Sequence, residues 1–386
     1  MNGIPFDCPV YIAGPDHHST LSLVRCFGRA GADVRLLVCG TGAGTPQETA
    51  TGRSRYAKRA EVIRPGSLVR RLLQIGSRSA ARSFLIPADD RAMYEIDRNA
   101  FLLYSDFCIP GFQGQSGVTA LLMDKMNQNS FVLRSGIPAA RSEPVGLPLA
   151  FPPGWSVYPC VVKPRISIYG SKADIAVCQT PDELTETLAR YAGKGYPGAL
   201  VQEYVARTRE LCAFGCVTGD PANAVTAVVE KIRQWPPAGG ATSCARTIDE
   251  EPVNRFVSRI TETLRNYGYR GLFDIEIFDT PNGLVLNEIN FRQSGNGYAL
   301  NRFGVYAPLY WCLDAVGLRR PDRMKTAVPA GRRIVNEMTE YEHLIRNRRK
   351  FPALLRDMFR ASAHAAFDLK DLPGTMARYR EMFRSR

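Results

Sequence analysis

Apolar positions along the chain gather into short unbroken runs separated by stretches of helical spacing, which is the rhythm of an α/β protein. The run VYIAG, residues 10–14, is followed by the polar loop PDHHST, by LSLVRCFGRAG with apolar residues at helical spacing, and by VRLLVC, residues 34–39. That sequence reads as strand, loop, helix, strand. Gly31 falls where the helix stops, and the unbroken runs suit strands covered on both faces of a parallel sheet. A further strand over 83–90, SFLIPADD, ends in acids at the carboxyl edge, where open α/β sheets take their ligands. These elements predict an N-terminal α/β domain over residues 1–115.

Beyond GFQGQSG the pattern changes. VTALLMDKMNQNSFVLRSGIP predicts one helix that stops at Gly136 with Pro138 just after it. Strands are expected over 158–164 (YPCVVKP), in ADIAVC and over 199–205 (ALVQEYV), with the amphipathic helix PDELTETLARYAGK before the last of them. RELCAFGCVTG and ANAVTAVVEKIRQW form paired strands about Gly219, Asp220 and Pro221. A helix through FVSRITETLRNYG then leads into a hairpin, 272–278 and 284–289, joined by a Thr-Pro-Asn-Gly turn. A second domain over 116–315 and a basic helical extension over 316–386 follow from this pass.

Composition narrows the functional classes. With 386 residues and a 45% apolar share, the chain is neither a disulfide miniprotein nor disordered. Its 50 Lys and Arg against 37 Asp and Glu leave a formal charge of +13, which suits a polyanion, an anionic membrane or a small anionic substrate. No run approaches the roughly 18 to 20 apolar residues of a membrane span, and the N-terminus has no basic head before an apolar core, so a cytoplasmic protein without a membrane partner is expected. The ten cysteines are scattered through apolar runs, as reduced core thiols are. Cys212 and Cys216 have no partner pair at zinc-like spacing. GPDHHS lacks the second and third glycines of a dinucleotide fingerprint, which argues against NAD. His17 and His18 receive no role.

Two groups of residues carry chemistry. Alternation along the hairpin puts Asp274 and Glu276 on one face of the first strand and Glu288 with Asn290 on one face of the second. Glu276, Glu288 and Asn290 are hard oxygen ligands of the kind Mg²⁺ takes, with Mn²⁺ as an alternative. A half-exposed hairpin would also carry acids on its solvent face, but several acids among apolar neighbours repel unless a cation neutralises them. Lys163 ends the apolar run CVVKP, where a buried ammonium needs an anion such as phosphate, unless it snorkels to the edge.

The order of these residues resembles the ATP-grasp superfamily. Met123-Asp124-Lys125-Met126 is similar to that family's helix with a leading Asp-Lys, and Gly136-Ile137-Pro138 follows as its GIP segment. Val162-Lys163-Pro164 matches the strand-end lysine, Tyr169-Gly170-Ser171-Lys172 the phosphate-covering loop, Gln202-Glu203-Tyr204-Val205 the adenine hinge and Glu210 the ribose acid. Asn287-Glu288-Ile289-Asn290-Phe291-Arg292 reproduces the metal motif N-E-x-N-x-R in full. The likeness covers about residues 8–315. The loop 165–172 departs from it, with only Gly170 where the family often has several glycines. Arg233 to Ala241 (RQWPPAGGA) together with the metal motif resembles the carboxylate-amine ligase branch, akin to D-aspartate ligase and amino-acid ligases.

The resemblance implies an α/β chain with a Rossmann-like pre-ATP-grasp domain, a two-lobed ATP-grasp fold and a helical C-terminal tail. It implies an enzyme that uses Mg-ATP to turn a carboxylate into an acyl phosphate, which an amine then converts to an amide with release of ADP and phosphate. Lys125, Lys163 and Ser171 would hold phosphates, the backbone of residues 202–205 would receive adenine, and Glu210 would accept from the ribose. Arg292 would hold the acyl phosphate or substrate carboxylate bidentately, with Lys163 beside it, and Lys231 and Arg233 would touch phosphate or shape a lid. Biotin carboxylase and the carbamoyl-phosphate synthetase large chain share the same core and remain alternatives within the superfamily. From another class stands a nucleic-acid binder using Arg346, Arg348, Arg349 and Lys350, which Glu340 and Glu342 dilute and which no nucleic-acid motif accompanies. The composition leaves a homo-oligomer open.

Overall fold

A computed structural model describes residues 8–40, 42–79, 81–147, 154–170, 174–236, 239–346 and 351–384. The chain divides into two compact units, one formed by Met1–Thr119, Cys212–Asp274 and Asn290–Arg386, the other by Ala120–Leu211 and Ile275–Ile289.

The first unit begins with a parallel sheet of β1 (Val10–Gly14), β2 (Val34–Cys39), β3 (Arg59–Ile63), β4 (Ser83–Pro87) and β5 (Phe107–Cys108) in the order β3-β2-β1-β4-β5. Val10 pairs with both Val34 and Phe84, so β1 lies at the centre, and all five of its residues are buried as the unbroken apolar run requires. One face packs Leu23, Val24 and Phe27 of the helix His18–Arg29 against Val10, Ile12 and Phe84, while Leu72, Ile96 and Leu103 cover the other with Tyr11 and Leu85. The expected strand over 83–90 stops at Pro87 instead, because the Asp89 carboxylate accepts from Ala92 N–H and caps the helix Asp90–Arg98.

After β6 (Gly111–Phe112) the chain enters the second unit. The single helix expected before Gly136 is two, Val118–Leu122 and Lys125–Arg134. Asp124 divides them: its backbone is extended, and its carboxylate accepts from Met126 N–H (2.9 Å) and Asn127 N–H (3.5 Å). An antiparallel sheet follows, with β7 (Ser142–Gly146), β8 (Cys160–Pro164), β9 (Ala176–Cys178) and β10 (Gly198–Glu203) ordered β7-β10-β8-β9. Cys160, Val162, Ala199 and Val201 meet Leu184, Leu188 and Tyr191 of the helix Pro181–Gly193. The expected strand over 199–205 ends at Glu203, leaving Tyr204 and Val205 beyond it.

The remaining strands are β11 (Arg209–Val217), β12 (Val225–Trp235), β13 (Ala241–Ile248), β14 (Tyr269–Thr280), β15 (Gly283–Asn290), β16 (Arg333–Val335) and β17 (Ala363–His364). In the first unit the order is β14-β11-β12-β13-β16-β17, and in the second β15 lies beside β14. The segment expected as a helical tail therefore also contributes β16 and β17, with Val335 opposite Cys244 and Ile334 opposite Ala363. Its last helix, Leu372–Arg384, is tied down where buried Arg25 donates to Asp371 at 2.8 Å. None of the ten cysteines is in a disulfide, and seven are buried. No helix among the described residues is long and apolar enough to cross a membrane.

Candidate functional site

In the second unit, alternation sends Cys160 and Val162 into the core and turns Lys163 to the other face of β8. Lys163 is opposite Leu200 on β10, so Lys163 and Gln202 share that face. The Lys163 side chain is 5% exposed, and among the described residues its Nζ donates only to Asn287 Oδ1, at 3.4 Å. Burial pushes its pKa down to about 8, against the pull of the Glu288 carboxylate and with the push of Lys125.

Lys125 stands in the first turn that Asp124 caps. Its backbone N–H donates to Arg165 O at 2.9 Å, and Arg165 returns to the cap, its guanidinium 2.5 Å from Asp124 Oδ2. So anchored, Lys125 Nζ reaches Glu288 Oε1 at 2.8 Å and Ser167 Oγ at 2.6 Å, and Ser167 lies 3.3 Å from the same Glu288 oxygen. Burial by itself would raise the Glu288 pKa, but Lys125 and then Lys163 outweigh it and hold the carboxyl below its ordinary value. Asn287 closes the group by donating to Glu276 Oε2 at 3.1 Å. Gln128 fixes the strand itself, donating to Ile289 O and accepting from Ile289 N–H, both at 2.7 Å. Lys125, Lys163, Glu276 and Glu288 are thus brought together. Ser167, Asn287 and Gln128 join them without having been singled out in the sequence; only Asn287 carried a signal, as the first letter of the metal motif.

The hinge segment is partly engaged. Gln202 Nε2 donates to Ser142 Oγ (2.8 Å), Glu203 N–H to Arg141 O (3.0 Å) and Tyr204 N–H to Pro159 O (3.1 Å). The Val205 N–H has no partner among the described residues. Glu210 is held by Arg207 at 2.5 Å, and that guanidinium lies over the rings of Phe278 (4.6 Å) and Tyr204 (5.9 Å), which draws the hinge and the acid into one cluster. Ser171 and Lys172 lie outside the described residues.

Asn290, Arg292 and Lys231 belong to the first unit. Asn290 is buried and its amide donates to Asp274 O at 3.4 Å, while its Oδ1 has no hydrogen-bond partner among the described residues. The Arg292 guanidinium lies between two acids, 2.8 Å from Asp274 and 3.1 Å from Asp90. Burial would lower its pKa, but Asp90 and Asp274 together raise it. Asp274 also accepts from Cys212 Sγ at 2.8 Å, so its carboxylate is committed within this unit. Lys231 sits on β12, half-buried. Arg233, expected to touch phosphate or shape a lid, pairs with Glu340 (3.0 Å) and Asp357 (2.5 Å). Residues 347–350, with most of the basic cluster, lie outside the described residues.

No family model matches the chain. It is 24% identical over 190 residues to the formate-dependent phosphoribosylglycinamide formyltransferase of Sulfurisphaera tokodaii, covering 46% of each chain. The chain thus spans about half the length of the curated relatives it matches. Among solved structures, the N5-carboxyaminoimidazole ribonucleotide synthetase of Thermus thermophilus superposes with a TM-score of 0.59 at 17% identity, covering 83% of this chain and 81% of that one. The biotin carboxylase domain of the Hydrogenobacter thermophilus 2-oxoglutarate carboxylase, solved with ADP, magnesium and bicarbonate, gives 0.63 at 13% identity over 85% and 74%.

Proposed function

We propose that this chain, whose fold is that of the ATP-grasp enzymes, is an ATP- and Mg²⁺-dependent carboxylate-amine ligase that works through an acyl phosphate. Its layout is read as a pre-ATP-grasp domain over 1–115, an ATP-grasp domain over 116–315 and an extension over 316–386. Ten thiols outside any disulfide favour the cytoplasm. The observation that carries the function is Lys163, an ammonium buried with one long hydrogen bond among the described residues, next to the Lys125–Glu288 pair. A buried cation held this way is short of an anion, and a phosphate supplies one.

The chemistry follows from the weakness of a carboxylate as an electrophile. Its oxygen takes the γ-phosphoryl group while the bond to ADP breaks, and the amine then attacks the carbonyl carbon as the bond to phosphate breaks, the proton leaving with solvent. Positioning and charge neutralisation are what such a transfer needs from protein. Lys125 and Lys163 neutralise phosphate oxygens, and the Val205 N–H receives the adenine edge. Glu210 accepts from ribose hydroxyls once Arg207 turns aside. Lys231 and the loop that carries Ser171 are assigned to phosphate. Glu276, Glu288 and Asn290 would hold Mg²⁺ or Mn²⁺, which supplies charge compensation at the phosphates. The fit rests on the donors themselves: the Glu276 carboxylate held by Asn287, the Glu288 carboxylate held by Lys125, and an Asn290 Oδ1 that lacks a hydrogen-bond partner among the described residues. Arg292 would exchange Asp90 for the substrate carboxylate or acyl phosphate.

The activities of the relatives suggest where to begin the search for substrates. ADP release would be measured across carboxylates, starting with formate, bicarbonate and amino acids, against a panel of amines, with mass detection of the product. Release that needs both a carboxylate and an amine, stops on chelation and returns with Mg²⁺ is the expected result. Release that needs bicarbonate and biotin moves the chain to the carboxylases, and no substrate-dependent release removes the ligase reading.

A further inference from the structure

In the second unit β8 and β9 run antiparallel, and their register sets Cys160 opposite Cys178, with Val161 opposite Val177 and Val162 opposite Ala176. Residues so opposed have Cα atoms about 4.5 to 5.5 Å apart, inside the span of about 4.4 to 6.8 Å that a disulfide bridges. Opposed residues also share a face of the sheet. Here that face is the buried one, where Cys160 (0% exposed) and Cys178 (1%) pack with Leu184, Leu188 and Tyr191 of the helix Pro181–Gly193. Of the ten cysteines, these two alone stand opposite each other in a strand pairing of the described residues.

The surroundings of the sulfurs agree with the register. Burial, and then Cys178 beside it, push the Cys160 thiol up to about 11. Burial and the same two thiols raise the pKa of Tyr158, whose hydroxyl is buried and makes no hydrogen bond among the described residues. Cys178 Sγ donates at 3.6 Å to Glu183 O and to Thr187 Oγ1, and a thiol is a weak donor, so little holds it from Cys160. Small apolar side chains would fill the same space, and buried thiols of raised pKa react slowly. Access comes from the strand. With three residues, β9 is the edge of the sheet and has β8 as its one neighbour. Such an element opens locally at less cost than the interior. Cys178 therefore meets solvent first, and Cys160 stays behind on the inner strand.

We propose that Cys160 and Cys178 are a redox site, joined reversibly as a disulfide by exchange with a small-molecule disulfide, and that the bond ties the two ends of the segment that runs between them through Ser167. The Cys178 thiolate, its proton given to solvent, attacks one sulfur of the reagent and expels a thiolate. Once β9 closes, the Cys160 thiolate attacks the Cys178 sulfur of this mixed disulfide and expels the second. Two cysteine thiols lose two electrons and two protons, and the reagent is reduced to two thiols. The tied segment begins with Lys163 on β8 and continues to Ser167, whose Oγ lies 2.6 Å from Lys125 Nζ and 3.3 Å from Glu288 Oε1. Tying its ends keeps Ser167 on those two groups, so the oxidised chain turns over more slowly. That consequence rests on the ligase reading; the disulfide does not.

The test incubates the full chain with glutathione disulfide under native conditions, alkylates the remaining thiols and reads the digest by mass spectrometry. The expected product is a peptide pair linked through Cys160 and Cys178 that dithiothreitol separates, formed faster at about pH 9 than at about pH 7, as attack by a thiolate requires. Cys160→Ser should stop at the glutathione adduct on Cys178, and Cys178→Ser should leave Cys160 without an adduct. Backbone amides of β8 and β9 should exchange at least about tenfold more slowly in the linked chain. Cys160 and Cys178 both alkylated after exposure to the reagent, or either one linked to a different cysteine, overturns the site. With a verified substrate pair, oxidation should lower ADP release severalfold and dithiothreitol should restore it, while C178S releases ADP at the reduced wild-type rate with or without the reagent. A linked chain with unchanged ADP release would remove the hold on Ser167 and keep the disulfide. No ADP release under any pairing would remove the ligase, and the linked peptides would still decide the redox site.

Discussion

At the residue scale the site is a question of which charges burial leaves unmatched. Lys163, at about 8, loses much of its charge just above neutrality, whereas a bound phosphate favours the ammonium. Nucleotide binding should therefore take up a proton between about pH 8 and the ordinary lysine range near 10.4, and affinity should fall as pH rises through that window. Calorimetry in buffers of different ionisation enthalpy measures the uptake, and Lys163→Met should abolish it. Glu288 has the opposite logic, since it neutralises Lys125 directly at 2.8 Å. Glu288→Gln should lower turnover by about 10²-fold or more while the circular dichroism spectrum stays unchanged; wild-type turnover in this variant would remove Glu288 from the site. Lys125, Lys163 and Glu288 were legible as letters in a motif, and Glu276 through the alternation of its strand. Ser167 and Gln128 were not, because a serine in a loop and a glutamine on a helix have the same pattern whether they face solvent or a strand.

At the scale of elements, boundaries decided where functional atoms ended up. A continuous apolar pattern reads as one helix through Lys125, yet Asp124 accepts from two backbone N–H groups and turns that pattern into a break. Lys125 thereby gains a first-turn position with its N–H on Arg165 O. Asp124→Ala should cost about 1 kcal/mol through the lost cap, read by urea unfolding, and should also weaken nucleotide binding because Arg165 loses its partner. A stability loss with unchanged nucleotide affinity would show that the cap does not position Lys125. The strand over 199–205 was shortened for a related reason. Pro159, opposite Tyr204 in the register, accepts from Tyr204 N–H but has no N–H to return, so the ladder stops and the Val205 N–H is left without a partner among the described residues.

At the scale of the whole molecule, the C-terminal segment is built into the first unit. Asp371 is fully buried and takes Arg25 Nε (2.8 Å), Ser54 Oγ (2.8 Å) and Arg55 N–H (2.9 Å), three groups more than 300 positions away in sequence. Asp371→Asn should destabilise the protein by about 3 kcal/mol, since it removes the nearer of the two acids beside the buried Arg25 charge and leaves Asp368 at 3.7 Å; denaturant unfolding that matched the wild type would show the contact to be incidental. Arg25, Arg233, Arg333 and Arg378 are paired to acids inside the unit and so add nothing to the +13 surplus, which resides on the other cations. The sequence by itself determined the α/β class, the central parallel strands, the hairpin and the residue types that gather at the site, because apolar periodicity and motif order are local properties of a chain. Tertiary structure alone decided that Arg292 is clamped by Asp90 and Asp274, that β16 and β17 extend a sheet, and that Arg378 reaches Asp16. Those pairings join residues far apart in sequence, and burial, which sets what each charge must find as a partner, exists only once the chain has folded.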